Sequence, residues 1–370
     1  MKTLFHWLPV GLGIVFLAGF AWLARERAFT GQNDFAAFYA GGRLAGTPEL
    51  YSRPANAAIV RQTTGVSMPA VVFIRPPFYA ALLKPLSQFP YRAAYALFSL
   101  LGLACSIWFV ARFSDECPSL PFFAAMSIPV ADALCNGQDT PLLVAITGLS
   151  IVLARKKRDF LAGLVLSLCA IKFHLFLLLP VPLLLHRRWR VLAGGMAGLV
   201  TLSTLGALVN GPGSFLAWMR VLRDPSIGFS AGVMPNLHGL VAVAGGDRRL
   251  EVLLTVAVLA AFLWTVSRVA SFEALVAASI VCGLLVNYHS GIADDVLLLV
   301  VFAVVTANYA SSPMRSLIAL LLTPVPWFMV LAGSPYNAIV PMALLVLMSF
   351  FCVLRPGVAQ VGALLSDHAH

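Results

Sequence analysis

Asp34 is the acidic residue whose position most suggests chemistry. It stands in GQNDFAAFYAGGR, residues 31–43, beyond a long apolar run, in a chain with only 15 acidic residues among 370. A carboxylate within reach of an acceptor hydroxyl can remove its proton as a general base. The alternative is structural, because an acid in the first turn of a helix stabilises that helix by about 0.3–1 kcal/mol. Both interpretations of Asp34 stay open at this point.

Three basic residues are candidates for holding a phosphate. Arg75 precedes two prolines, and Lys172 and His174 interrupt the hydrophobic stretch 161–185. A guanidinium can hold a phosphate through two parallel hydrogen bonds. The structural alternatives are a stiff entry into the next helix at Arg-Pro-Pro and a lysine that reaches the membrane surface along its alkyl chain.

A further cluster, NYHSGIADD at residues 287–295, contains His289, Asp294 and Asp295. Two adjacent acids can bind a divalent cation through oxygen, so a metal at Asp294 and Asp295 is kept as an alternative. The acids can equally stabilise a helix start, and His289 can be an ordinary interfacial histidine. We expect no cofactor and no obligatory metal.

Two amides complete the set of candidate binding residues. Asn33 precedes Asp34 and is also a plausible N-cap. Gln138 belongs to the turn 136–139, whose composition is typical of a reverse turn. Its amide can hydrogen-bond sugar hydroxyls, although a purely structural turn is the simpler interpretation.

The composition indicates that these residues belong to a polytopic all-α membrane protein. Hydrophobic residues make up 60% and charged residues 11%, whereas soluble domains carry about 25% charge. The net charge of +10 comes from basic residues at the ends of apolar runs, as the positive-inside rule expects. No basic groove is evident, so nucleic acid is not an expected partner. The six cysteines have no CxxC spacing and read as small buried hydrophobic residues.

The apolar runs predict about twelve membrane spans in a single domain, residues 1–370. A span needs about 20 mostly apolar residues. Eight runs are clear: 4–23, 91–113, 190–209, 250–269, 272–288, 292–310, 314–332 and 337–355. Four are shorter and predict tight hairpins: 119–134, 140–154, 159–172 and 174–186.

The basic clusters predict the orientation. Those at 155–158 and 186–190 are the densest and should be cytoplasmic, which places both termini and a short tail, 356–370, on that side. The segment 24–90, the turn 136–139, the 172–174 corner and residues 289–295 then share the external face. Within 24–90 we expect two short helices along the membrane surface, one carrying Phe35 and Phe38 on its apolar face and one near 55–62.

The order of these blocks resembles glycosyltransferase family 87, also known as DUF2029. The blocks are NDFAAFYAGGRLAGTPELY, FIRPPFYAALLKPLSQFP, NGQDTPLL, KFHLFLLLPVPLLLHRRWR and NYHSGIADDVLLL. The resemblance implies a GT-C-type bundle with an external cavity and a polyprenyl-phosphate-linked sugar as donor, with mannose as the expected sugar. It places Asp34 on the family's catalytic aspartate and His289 beside the same cavity. Arg75 stands where the family usually has tyrosine.

The expected function is therefore an inverting hexosyltransferase of a bacterial-type inner membrane. Asp34 would deprotonate a lipid or glycan acceptor, and Arg75, Lys172 or His289 would stabilise the departing lipid phosphate. Membrane lipids are the other expected partners. The rivals are a transporter or flippase of lipid-linked saccharide, against which the lack of an inverted repeat counts, and a non-catalytic assembly subunit. The transferase mechanism requires Asp34, Lys172 and His289 to lie together.

Overall fold

The computed structural model describes residues 2–224, 226–227, 231–269, 271–308, 312–331 and 336–353. Throughout these ranges the chain is helical and contains no strand, which confirms the all-α prediction. The predicted tail, 356–370, lies outside them. The first half contains α1 (Lys2–Thr30), α2 (Phe35–Leu44), α3 (Arg53–Thr64), α4 (Pro77–Leu83), α5 (Tyr91–Phe113), α6 (Leu120–Met126), α7 (Ile128–Cys135), α8 (Thr140–Arg155), α9 (Asp159–Leu166) and α10 (Phe173–Phe176).

The second half continues the helical pattern, and short 3-10 helices occur in both halves. Its α-helices are α11 (Pro180–Leu185), α12 (Trp189–Asn210), α13 (Gly213–Leu222), α14 (Leu237–Val243), α15 (Arg248–Arg268), α16 (Phe272–Val286), α17 (Leu298–Asn308), α18 (Ser312–Leu322), α19 (Pro324–Leu331) and α20 (Ile339–Val353). The 3-10 helices are Leu86–Gln88, Ser167–Lys172, Ala231–Val233, Ile292–Leu297 and Tyr336–Ala338.

Among the described residues, four helical segments are long and apolar enough to cross a membrane. They are Tyr91–Phe113, Asp159–Phe176, Trp189–Asn210 and Arg248–Arg268. Two bent pairs raise the number to six if each counts as one span: α7 with α8, bent by 117°, and α18 with α19, bent by 56°. The predicted total of about twelve spans is not reached by this criterion, because several apolar runs fold as shorter or broken helices.

The segment Asp159–Phe176 differs from the predicted hairpin. The sequence suggested a corner at residues 172–174, but the chain continues in one direction through α9, a 3-10 stretch at Ser167–Lys172, and α10. It turns only after Phe176. A 3-10 stretch within a helix changes the direction of its side chains, and here it ends at Lys172.

A close helix contact fixes the position of this segment. A Cβ added to Gly163 of α9 would lie 1.9 Å from the carbonyl oxygen of Val191, and one added to Gly194 of α12 would lie 1.9 Å from that of Phe160. Only glycine permits such an approach of two backbones, which is the usual role of small residues where membrane helices pack.

Two polar layers lie at opposite ends of the helices. α8 has 16 residues and therefore rises about 24 Å from Thr140 to Arg155. At its far end Arg155 pairs with Glu116 and Glu273, and Asn308 donates to Glu273 at 3.1 Å. We call this group the Arg155 layer; the predicted active-site residues lie at the other end of α8.

The segment 24–90 contains both predicted helices, α2 and α3, but α2 does not have the expected one-sided exposure. Eight of its ten residues are buried, including Phe35, Phe38, Tyr39 and Gly42. The contacts of α2 are with α3, α4, α5 and the following 3-10 turn, so protein covers nearly its whole circumference. α3 is capped by Ser52, which accepts from the Ala55 N–H, and ends at Gly65, whose φ is +77°.

Candidate functional site

Asp34 occupies the turn between α1 and α2, and its side chain points away from the helix it precedes. The carboxylate makes no capping hydrogen bond. Instead its Oδ2 accepts from Gln138 Nε2 at 2.6 Å, and Oδ1 has no hydrogen-bond partner among the described residues. The side-chain cap comes from Asn33, whose Oδ1 accepts from the Ala36 N–H at 3.2 Å and from the Tyr91 hydroxyl at 2.8 Å. Asn33 thus makes the capping hydrogen bond that the sequence suggested for it, while the Asp34 carboxylate bonds to the turn 136–139 and not to its own helix.

The turn 136–139 brings Gln138 to Asp34. Gly137 has a φ of +59°, a conformation that glycine adopts readily, and a Cβ there would approach that of Phe35 to 2.7 Å. The Phe35 N–H donates to the Asn136 carbonyl at 3.1 Å. The start of α2 and this turn are therefore held together by backbone contacts, and Gln138 is placed between them.

Lys172 is the centre of the polar cluster. Its Nζ donates to Gln138 Oε1 at 3.0 Å and to Asp294 Oδ1 at 2.5 Å, and it lies 3.3 Å from Asp139 Oδ1. An ammonium group has three N–H donors, and these three oxygens can accept all of them. The side chain is only 4% exposed, so it does not reach the membrane surface along its alkyl chain.

Arg75 is held by Asp139, a residue that sequence reasoning did not select. Arg75 Nε donates to Oδ2 at 2.7 Å and Nη2 to Oδ1 at 3.1 Å, a bidentate pair with the Asp139 side chain fully buried. Burial acts to lower the pKa of Arg75, but the charge and hydrogen bonds of Asp139 raise it above its ordinary value. The only sequence signal for Asp139 was an acid in a largely apolar chain, since its partner is 64 residues away.

The two histidines border this cluster. His174 and His289 both interact electrostatically with Asp294, Arg75 and Lys172, and His289 also with Asp34. Burial lowers the pKa of His289 below its ordinary value, although the charge of Asp294 opposes the shift. His289 is therefore a neutral imidazole near pH 7, able to donate a hydrogen bond but not to supply a positive charge.

Asp294 and Asp295 have different environments. Asp294 accepts from Lys172 through Oδ1 and from the Gly291 N–H through Oδ2 at 3.0 Å. Both carboxyl oxygens of Asp295 are buried without a hydrogen-bond partner. The described residues contain no group of three or more His, Cys, Asp or Glu side chains arranged to hold a metal. The oxygens of Asp294 are already committed to Lys172 and a helix start.

The cluster contains one more carboxylate than cations. Three carboxylates (Asp34, Asp139 and Asp294) face two cations, Arg75 and Lys172. Beside Arg75 and Asp139 lie two buried hydroxyls without partners, those of Tyr79 and Thr140. Buried hydroxyls are usually hydrogen-bonded, so this side of the cluster has unused capacity to bind a polar ligand. Asp34, Gln138, Lys172, Asp294, Asp139 and Arg75 form one connected network, which we call the Asp34 network.

An apolar groove is lined by residues on both sides of Lys172 in the chain. It has a volume of about 250 Å³ and lies between the segment α9–α11 and α12. Its lining includes Cys169 and Phe173, which precede and follow Lys172 in the chain, together with Leu183 and Met196. Its lining is almost wholly hydrocarbon, so it suits an aliphatic chain.

A scan against models of known families identifies the chain. The model of glycosyltransferase family 87 matches residues 73–289, more than half of the sequence. The chain belongs to glycosyltransferase family 87. This membership confirms the resemblance seen in the sequence and is consistent with the GT-C superfamily. It establishes a glycosyltransferase with membrane-type helices.

The matched region contains most of the Asp34 network but not all of it. Its members Arg75, Gln138, Asp139 and Lys172 lie within residues 73–289, whereas Asp34 and Asp294 lie outside. No curated protein and no solved structure matches the chain. The association of Asp34 with the family's matched region therefore comes from the hydrogen bond to Gln138.

Proposed function

We propose that this family 87 enzyme transfers a hexosyl group, mannose in the first instance, from a polyprenyl-phosphate sugar to a hydroxyl of a lipid or glycan acceptor. The observation that carries the proposal is the state of Asp34. Gln138 fixes one carboxylate oxygen and leaves the other without a partner among the described residues. A general base needs this arrangement, with one oxygen oriented and the other available.

The proposed reaction is a single displacement at the anomeric carbon. The acceptor oxygen forms a bond to that carbon as Asp34 Oδ1 takes its proton, and the bond to the phosphate oxygen breaks on the opposite side. The polyprenyl phosphate leaves with the electron pair, and the configuration inverts. No second carboxylate is required as a nucleophile, unlike in retaining glycoside hydrolysis.

Lys172 and Arg75 are the proposed partners of the donor phosphate. Both are buried and both are already paired with carboxylates. A phosphate can bind Lys172 by replacing Asp294 or Gln138 as its acceptor. Negative charge grows on the phosphate as the sugar leaves, so a cation already oriented there lowers the barrier. His289, being neutral, contributes a hydrogen bond at most.

The apolar groove supports a lipid-linked donor. Phe173, the residue after Lys172, is among its lining residues, and the hydrocarbon chain of a donor whose phosphate binds Lys172 is proposed to lie in this groove. Lipid tails are as apolar as the groove, so the groove would hold the donor chain by van der Waals packing and would not gain free energy from removing it from water. A nucleotide sugar would make no use of such a groove.

The two polar layers support an active site on the external side of a bacterial-type inner membrane. The basic cluster 155–158 follows α8 directly, and cationic loops favour the cytoplasm. The Asp34 network lies at the other end of α8. With the cytoplasm at the Arg155 layer, the network faces outward, where polyprenyl-phosphate sugars would meet extracytoplasmic acceptors, and both termini are cytoplasmic.

The first prediction concerns Asp34. Membranes carrying the full chain are incubated with radiolabelled polyprenyl-phosphate mannose and a panel of lipid and glycan acceptors. Asp34→Asn keeps the shape of the side chain but removes the base, and we expect transfer to fall by about 100- to 10,000-fold, the usual contribution of general-base catalysis.

Asp115→Asn is the matched control, since Asp115 is exposed and lies near the Arg155 layer; it should transfer as the wild type does. Equal transfer by Asp34→Asn and wild type would remove Asp34 as the base. If the wild type transfers sugar from no polyprenyl-phosphate donor, the proposed donor class fails and a transporter of lipid-linked saccharide becomes the better hypothesis.

A further inference from the structure

A second cavity lies outside the Asp34 network and has a different chemistry. It has a volume of about 540 Å³ and lies between α14, α15 and the loop 287–290. Its polar lining residues are His238, Asp247, Arg248, Glu251, Thr255 and Tyr288. We call it the Tyr288 cavity.

The Tyr288 cavity presents an aromatic face next to a hydrogen-bonded pair. His238 Nδ1 lies 3.0 Å from Glu251 Oε1, and the His238 ring packs against Tyr288 with centroids 4.5 Å apart. Tyr288 is nevertheless 72% exposed, so most of its surface faces the cavity or solvent. Asp247 is committed to the start of α15, where it accepts from the N–H groups of Arg249 and Leu250.

The loop that carries Tyr288 also borders the Asp34 network. His289, the next residue, interacts electrostatically with Asp34 and Lys172, whereas Tyr288 lines the second cavity. Asn236 fixes the loop by donating to the Asn287 carbonyl at 2.8 Å and to Ser290 Oγ at 3.0 Å. The loop therefore separates the Tyr288 cavity from the Asp34 network, with Tyr288 on one side and His289 on the other.

The charges of the Tyr288 cavity select against an anionic ligand. Two acids, Asp247 and Glu251, accompany a single arginine, Arg248, so a phosphate would meet repulsion as well as attraction. An uncharged, hydroxyl-rich ring suits the cavity better. Its hydroxyls can bond to the carboxylate, imidazole and guanidinium groups, while its apolar face packs on the exposed tyrosine.

We propose that the Tyr288 cavity binds an uncharged, hydroxyl-rich part of the acceptor headgroup next to the loop 287–290, whose other side borders the Asp34 network. This inference rests on the proposed transferase function, because it assigns the second substrate of that reaction. The recognition residues are Tyr288, Glu251 and His238. They position the acceptor and take no part in proton or sugar transfer.

Binding is tested without relying on catalysis. The full chain in lipid nanodiscs is mixed with methyl α-D-mannopyranoside or methyl α-D-glucopyranoside, and saturation-transfer-difference NMR reports contact of the sugar protons with protein. We expect a signal from at least one glycoside with wild type. Tyr288→Ala and Glu251→Gln should reduce it about fivefold or more, equivalent to losing about 1 kcal/mol of binding.

Two matched controls accompany these variants. Phe328→Ala removes another exposed aromatic ring, and Glu49→Gln neutralises an exposed acid far from the cavity in the sequence; both should keep the wild-type signal. Size-exclusion elution and thermal unfolding verify that the variants are folded. The absence of a signal from wild type with both glycosides, or equal signals from wild type and Tyr288→Ala, would overturn the proposal.

The acceptor role is tested by kinetics with octyl α-D-mannopyranoside as acceptor. Tyr288→Ala should raise the KM for this acceptor about tenfold while the KM for the polyprenyl-phosphate donor stays within about twofold. An unchanged acceptor KM contradicts the role. Asp34→Asn should keep the NMR signal and lose transfer. A wild type that transfers from no donor rejects the proposed function whatever the NMR shows, because the NMR reports binding at the cavity alone.

Discussion

Gln138 is the residue on which the arrangement of Asp34 depends most directly. Its Nε2 donates to Asp34 and its Oε1 accepts from Lys172, so a single amide joins the proposed base to the proposed phosphate-binding cation. Sequence reasoning assigned Gln138 to substrate binding. The geometry favours a positioning role instead, since both ends of the amide are occupied by protein groups.

We predict that Gln138→Ala lowers kcat about 10- to 100-fold while the donor KM changes by less than about twofold. Loss of a hydrogen bond to a charged group costs roughly 1.5–3 kcal/mol, and here the loss falls on the orientation of Asp34 in the transition state. Steady-state transfer kinetics measure kcat and the donor KM separately. Gln88→Ala, at an exposed glutamine bonded only to a backbone carbonyl, is the control. A raised donor KM with unchanged kcat would contradict the positioning role and support a role of Gln138 in substrate binding.

The helices position the residues of the network, and Lys172 depends on a close backbone contact between α9 and α12. Gly163 and Gly194 let the two backbones touch, and the 3-10 stretch after α9 then carries Lys172 into the cluster. The α9–α12 contact and the position of Lys172 are coupled, because a wider separation of α9 from α12 would displace Lys172 from Asp294 and Gln138.

We predict that Gly194→Ala lowers thermal stability and transfer together. The new Cβ would fall 1.9 Å from a backbone oxygen, which side-chain rotation cannot relieve, and overpacking of this kind costs about 1–3 kcal/mol. Unfolding followed by tryptophan fluorescence in detergent measures the loss. Gly195→Ala is the neighbouring control, because its Cβ would meet its closest atom at 3.7 Å and should be tolerated. Equal stability of the two variants would show that the α9–α12 contact is not tight.

Some elements could be predicted from the sequence and others could not. The run 91–113 forms α5 with the same bounds, because an uninterrupted apolar segment that follows Pro90 folds as a single helix. The end of the α9–α10 segment was misplaced, since the break was assigned to the charges at Lys172 and His174. Polar residues at membrane depth are retained for function and need not mark a helix end.

The candidate site was only partly predictable for a similar reason. Rarity of charge identified Asp34, Arg75, Lys172 and His289, and the structure brings them together. The pairing of Arg75 with Asp139 and of Lys172 with Asp294 depends on how distant helices meet. The periodicity of residues within one helix carries no information about which distant helices it meets.

Across the whole molecule, the chain crosses repeatedly between two polar layers. α5 and α8 run from the Asp34 network to the Arg155 layer, and α17 runs the same way from Asp294 to Asn308. α16 returns from Glu273 toward His289. The two layers must therefore lie on opposite sides of a membrane that these helices cross. One residue labelled at each layer then tests the expected orientation of the whole chain.

We predict that the two layers label from opposite sides of an intact membrane. Gln32→Cys, next to the Asp34 network and exposed, should react with a membrane-impermeant maleimide in intact cells. Lys157→Cys, in the exposed loop after α8, should react only after permeabilisation. The unmodified chain, with its own six cysteines, gives the background. Reversed labelling would place the active site on the cytoplasmic side.

The pairing of Lys172 with two buried carboxylates has a consequence for selectivity. A membrane offers phospholipid headgroups in great excess over any polyprenyl-phosphate sugar, and an unpaired buried cation would attract all of them. Here every incoming phosphate must compete with Asp139 and Asp294 for Lys172, and removing a partner from a buried ion pair costs several kcal/mol. Under the proposed donor assignment, only a ligand that recovers this cost through its sugar and its chain displaces these acids from Lys172, and the resting enzyme discriminates among lipid phosphates through competition from its own acids.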